Sequence, residues 1–167
     1  MTDPRLMISV SGIRGRVGFG LSPEVFARYA AAFGAWALSR GKGTAVVLGR
    51  DSRVSGPLFH QVARAALESV GADVIDLGVT TTPTLQMAVE HHRAAGGLGI
   101  TASHNPVEWN ALKFIGADGL FLSAADGEGM RALIDDIPYA TWDRLGETRF
   151  DGDAVSRHLD AVLALPM

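Results

Sequence analysis

The sequence contains no cysteine, so neither a disulfide scaffold nor a thiolate metal site is open to it. That composition suits a reducing compartment, and the cytoplasm is the expected location. Lysine is almost absent too: among 15 basic residues only Lys42 and Lys113 are lysines. The net charge of −3 is small and the arginines are scattered, which argues against the basic face that a nucleic-acid partner requires. No apolar run approaches the roughly 18 residues needed to span a bilayer, and none follows positions 1–5 as in a secretory signal. The chain is therefore expected to lack both a membrane span and a signal. Its 167 residues, 47% of them hydrophobic, suffice for the core of one domain.

Glycine is plentiful instead, and it punctuates apolar segments that alternate in character. Residues 6–10, 44–48, 74–77 and 97–101 are short apolar runs bounded by Gly or polar turns, the pattern of parallel strands buried on both faces. Helical patterns lie between them. Ser22 and Pro23 mark the first N-terminus, Phe26, Tyr29, Ala30, Phe33 and Ala37 share one face, and Gly41 ends it. The second runs from Ser55-Gly56-Pro57 to Gly71, and the third from Thr82-Pro83 to His91-His92-Arg93. This order predicts an α/β fold, a three-layer α/β/α domain with a mainly parallel, mixed sheet. Residues 111–115, a turn at 116–119 and 120–122 suggest a further antiparallel edge. A fourth helix begins at Ser123 and carries Met130, Leu133, Ile134 and Ile137 on its apolar side.

From 138 to 152 the periodicity fails, so this stretch reads as a connector and its end as a boundary. Residues 1–150 form the expected domain, and 151–167, with a stripe of Val155, Leu159, Val162 and Leu163, the start of a following one. Asp153 with Asp151 is expected to cap that last helix. His60, His91, His92 and His158 match no ligand spacing and are expected at exposed helix positions, and Lys42 in a solvated loop.

In a doubly wound sheet the ligand crevice lies beyond the carboxyl ends of the strands. Three segments fall there: Ser11-Gly12-Ile13-Arg14-Gly15-Arg16, Gly49-Arg50-Asp51-Ser52-Arg53 and Thr101-Ala102-Ser103-His104-Asn105-Pro106. Read as loops, they offer guanidinium groups and close backbone N–H groups, which suit an anion such as a phosphate. Arg50 and Asp51 are expected to pair structurally. Ser103 is a candidate nucleophile, although a hydrolase elbow would need the flanking glycines that its neighbours lack. The plainer reading of Ser103 to Pro106 is a turn.

The Thr101 to Pro106 segment, followed by Asn110 and Lys113, resembles the phosphoserine loop of the α-D-phosphohexomutases. The segments around Gly12-Ile13-Arg14-Gly15 and Gly49 to Pro57 are similar to that family's other signatures in the same order. The resemblance implies a hexose phosphate substrate, shuttled between 6- and 1-phosphates through a phosphoserine and a bisphosphate intermediate. Ser103 would be the phosphoserine and, through its phosphate, a ligand to Mg²⁺. Arg14 and Lys113 would be catalytic cations, and His104 and Asn105 would shape the loop and meet phosphate or substrate. The family's metal loop has no counterpart here, since Asp151-Gly152-Asp153 lacks the third carboxylate. The resemblance therefore implies an N-terminal domain I that is inactive alone, its other Mg²⁺ ligands coming from a later domain. It leaves glucose, mannose and glucosamine open as the sugar. The alternative is a non-catalytic sugar-phosphate-binding module. No membrane or nucleic-acid partner is expected, and the patterns carry no argument about oligomeric state.

Overall fold

A computed structural model describes residues 6–10 and 12–166. The strands are β1 (Leu6–Ser9), β2 (Gly12–Val17), β3 (Gly20–Leu21), β4 (Ala45–Arg50), β5 (Asp73–Val79), β6 (Gly96–Ile100), β7 (Trp109–Gly116) and β8 (Thr148–Phe150). The helices are α1 (Pro23–Ser39), α2 (Gly56–Glu68), α3 (Thr82–His92), α4 (Ala124–Arg131) and α5 (Ala154–Leu163). One mixed sheet has the order β1-β2-β7-β6-β4-β5-β8, with β3 paired to β2. β4, β5, β6 and β8 run parallel, whereas β7 is antiparallel to both β6 and β2.

The layers follow from strand alternation, because successive side chains leave a strand on opposite faces. Val46, Leu48, Leu98, Ile100, Leu112 and Phe114 pack with α1, α2 and Met130 of α4. Val47, Ile75, Leu77 and Ile115 pack with Leu85 and Val89 of α3 and Ala154 of α5. The first core is aromatic: Phe26 and Phe59 join α1 to α2 at 4.5 Å between ring centroids, and Phe33 stacks on Phe114 at 5.4 Å. Such offset contacts add to the area each ring buries.

The start signals of α1 and α4 act as the sequence predicts. The Ser22 hydroxyl accepts from the Val25 amide with Pro23 in the first turn, and the Ser123 hydroxyl accepts from the Asp126 amide. Gly41 and Gly71, just past α1 and α2, take φ values of 64° and 82°, which glycine adopts without a Cβ clash. No helix among the described residues is long and apolar enough to cross a membrane.

Several expectations are corrected. Residues 6–10 do not form a buried parallel strand: β1 is an exposed edge, antiparallel to β2. The Gly12 to Arg16 segment is no loop but strand β2, inserted between β1 and β7; its Ser11 lies outside the described residues. β7 is internal rather than an edge, and residues 120–122 contribute only a single bridge, Phe121 to Ile115. α4 stops at Arg131, so Leu133, Ile134 and Ile137 pack on the core from turns beyond it. Inside the connector, β8 extends the sheet beside β5.

Candidate functional site

The sheet brings two of the candidate segments to one rim, and the third, strand β2, runs toward it. β4 and β6 end there in parallel, and β2 runs the same way, since both β2 and β6 are antiparallel to β7. The rim is closed by hydrogen bonds from Asp51 N to the Ile100 carbonyl (2.9 Å), Thr101 N to the Ala111 carbonyl (3.1 Å) and Val17 N to the Glu108 carbonyl (2.9 Å). Beyond β6 the chain turns at once. Asn105 N bonds to the Ala102 carbonyl at 3.1 Å and Trp109 N to the Pro106 carbonyl at 3.0 Å before β7 returns.

Ser103 stands at the tip of that turn. Its φ of 53° is left-handed, a conformation that costs a non-glycine residue about 1–2 kcal/mol and persists only where its surroundings impose it. Its amide donates to the Thr101 hydroxyl at 3.2 Å, and its own hydroxyl, exposed, lies 3.4 Å from Nδ1 of His104. Asn105 is half-buried beside them and His104 is exposed. Asn110, fully buried at the start of β7, donates from Nδ2 to the Ser55 hydroxyl (2.8 Å) and accepts from the Ala111 amide (2.8 Å). It thereby ties the second signature to the third.

Arg14 and Lys113 sit on strands. Gly12 pairs with Lys113 and Arg14 with Ala111, so the two side chains leave the sheet on the same face, opposite the buried Ile13 and Leu112. Both line a groove of about 280 Å³ with Met7, Ile8 and Ser9, and Nζ of Lys113 lies 5.6 Å from the Phe121 ring centroid. The structure thus groups Arg14 with Lys113, and Ser103 with His104 and Asn105. Among the described residues no hydrogen bond or ion pair joins the two groups. Their link is Ala111, which pairs with Arg14 and accepts from Thr101.

The residue that sequence reasoning missed is Arg53. Its guanidinium donates to the carbonyls of Ser103 (2.8 Å), Asn105 (2.7 Å), Pro106 (2.8 Å) and Trp109 (3.1 Å). Asp51 holds it, through Nε at 3.2 Å and the Arg53 amide at 3.0 Å. The expected Arg50–Asp51 side-chain pair does not form, because Arg53 takes the carboxylate and Arg50 donates to the Asp51 carbonyl instead. The available signal was an Asp two residues before an Arg beside a strand end, which says nothing of four distant carbonyls.

Away from the rim, Asp151 departs from its expected capping partnership: it accepts from Asp153 N, His92 and Arg157, while the Asp153 side chain caps nothing. His60 and His158, like His92, are half-buried and bonded, to Asp76 and Thr84, rather than exposed; His91 is exposed as expected. Among the described residues no group of three or more His, Asp or Glu could hold a metal ion. Asp51 and Asp151 are engaged by arginines, so these residues do not make up an Mg²⁺ site by themselves.

Known proteins are similar to this chain in sequence and fold. Residues 5–140 match the family described as phosphoglucomutase/phosphomannomutase, alpha/beta/alpha domain I. The probable phosphoglucosamine mutase of Methanopyrus kandleri is 40% identical over 154 residues, covering 92% of this chain and 33% of that protein. The phosphoglucosamine mutase of Levilactobacillus brevis is 42% identical over 144 residues, 81% of this chain and 32% of that protein. A crystal structure of a phosphoglucomutase/phosphomannomutase family protein from Burkholderia thailandensis superposes with a TM-score of 0.80 at 27% identity, covering 96% of this chain and 37% of that one. The chain spans about a third of the length of these relatives.

Proposed function

The chain belongs to the phosphoglucomutase/phosphomannomutase family, matching it in the α/β/α domain I, and from that premise we propose that it supplies the phosphoserine of a phosphohexomutase. The whole enzyme would interconvert hexose 6-phosphate and hexose 1-phosphate in the cytoplasm. The observation that carries the proposal is Ser103: an exposed hydroxyl held at a left-handed φ of 53° at the rim, with Arg14 and Lys113 together on the adjoining strands β2 and β7.

The chemistry asked of this domain is limited. When Ser103 carries phosphate, the Oγ–P bond breaks as a bond forms from phosphorus to a hydroxyl of the bound hexose phosphate. The sugar proton leaves to a nearby base, and the serine oxygen is reprotonated. The bisphosphate then returns a phosphoryl group from its other position to Ser103. Such transfers depend on positioning and on neutralising charge spread over the phosphoryl oxygens, which Arg14 and Lys113 can supply as cations. His104 and Asn105 would meet the phosphate or the sugar. Bound Mg²⁺ would add Lewis-acid charge at the phosphate on Ser103, with its other ligands supplied by a later domain. The 167-residue chain alone is expected to show negligible turnover.

The test is intact-mass and peptide analysis of the chain and of the enzyme expressed from its complete reading frame, with glucose 1-phosphate and its mannose and glucosamine counterparts as substrates. A phosphate on Ser103, lost together with turnover in Ser103→Ala, is the expected result. Turnover by Ser103→Ala would overturn the reading. Binding of a hexose phosphate with no phosphoryl transfer by either protein would leave a binding module instead.

A further inference from the structure

Arg53 is an unusual cation for a phosphate-handling rim because nothing of it is left to offer. A guanidinium is a rigid planar fork of N–H donors. Here Nη1 serves Pro106 and Trp109, Nη2 serves Ser103 and Asn105, and Nε serves Asp51, at distances of 2.7–3.2 Å. Every N–H is occupied, and the side chain is only 12% exposed. It therefore cannot double as a ligand for an incoming phosphate without dismantling the turn. Arg14, exposed on β2, is under no such constraint.

We propose that Arg53, braced by Asp51, is a positioning residue for phosphoryl transfer at Ser103: it gathers the carbonyls of the turn so that Ser103 is held left-handed with its hydroxyl presented at the rim. The inference rests on the reading of Ser103 as the phosphate carrier. The turn from 102 to 109 has no regular ladder of its own, and the converging carbonyls of Ser103, Asn105, Pro106 and Trp109 would repel one another without a shared cation. Arg53 replaces that repulsion by charge-assisted hydrogen bonds, which are stronger than neutral ones. Lysine cannot substitute, because a point ammonium lacks the fork that spans four carbonyls.

The experiment combines turnover by the enzyme from the complete reading frame with backbone amide hydrogen exchange of the 167-residue chain. In Arg53→Met, kcat for hexose 1-phosphate should fall about 100-fold with KM within about threefold, since a shift of about 1 Å at a reacting atom costs that much. Exchange at 102–110 should quicken at least about tenfold while α1, α2 and the central strands keep their protection. Arg53→Lys should behave like Arg53→Met, and methylguanidinium should restore part of kcat to Arg53→Gly. A purely structural arginine would instead lower the folded fraction without changing kcat per folded molecule. Wild-type kcat with an unaltered exchange pattern in Arg53→Met overturns the proposal. Should that variant fail to fold, Asp51→Asn carries the test, with a smaller fall in kcat and local loosening expected, and no change in either overturning it. Ser103→Ala in the same assay separates the two ideas. If it is inactive while Arg53→Met is normal, only the positioning role fails; if it is active, the phosphoserine reading fails first.

Discussion

His92 Nε2 lies 2.7 Å from a carboxylate oxygen of Asp151, a residue 59 positions further along the chain, and Arg157 donates to that same oxygen. The contact joins the end of α3 to the start of α5, while Arg149 of β8 approaches Nδ1 of His92 at 3.4 Å. Burial by itself pushes the Asp151 carboxyl up, but hydrogen bonds from Arg157, His92 and the Asp153 amide outweigh it and hold the group well below the usual carboxylate range.

A carboxyl lowered on folding stabilises the protein above its unfolded pKa, about 3.9, and the contribution is lost as pH falls through the folded value. Asp151→Asn should therefore cost about 2 kcal/mol at pH 7, the scale of buried charge-assisted hydrogen bonds. Urea unfolding at pH 7 and pH 3 checks this. The gap between wild type and variant should be smaller at pH 3, and an equal gap at both would sink the linkage.

Ser103 sits at a φ of 53°, so the backbone there favours glycine. Ser103→Gly should be about 1 kcal/mol more stable than Ser103→Ala by thermal unfolding, although neither can accept a phosphate. Equal stability of the two variants would mean that the left-handed turn is not imposed by its surroundings.

Buried Asn110 depends on Ser55, whose hydroxyl accepts from its side-chain amide at 2.8 Å. Ser55→Ala leaves a buried N–H without that acceptor, at a cost of about 1–3 kcal/mol. Denaturant titration should show the loss, with Ser55→Thr restoring most of it. A neutral Ser55→Ala would contradict the bond.

Gly12 leaves no room for a side chain in the β2–β7 pairing: a Cβ there would meet the Leu112 carbonyl oxygen at 2.4 Å. Gly12→Ala should cost about 2–3 kcal/mol and disturb the register that places Arg14 beside Ala111 and Lys113 on the same face. Amide exchange in β2 should rise first, and exchange in β4 and β5 should hold.

What could be read from the chain alone was whatever a few adjacent residues decide. Ser22 with Pro23, and Ser123 with Asp126, specify helix starts because the capping atoms lie within one turn of each other. The strands near 44–48, 74–77 and 97–101 were legible because both faces are buried, leaving an unbroken apolar run. The phosphoserine-like loop was legible as a motif.

Tertiary structure decided the rest. Gly12-Ile13-Arg14-Gly15 has the composition of a loop, and it becomes a strand only because β1 and β7 supply hydrogen-bond partners on both sides. β8 is three exposed residues, which carry no alternating pattern to read. Arg53 shows the limit most clearly. Its identity and its Asp51 neighbour are local, but the carbonyls it gathers lie 50 to 56 positions away. The backbone oxygen of a residue says nothing in a sequence about where it points. The chain by itself thus determined which residue is proposed to carry the chemistry, Ser103. Only the fold, by closing β4 and β6 side by side, determined what holds that residue in place.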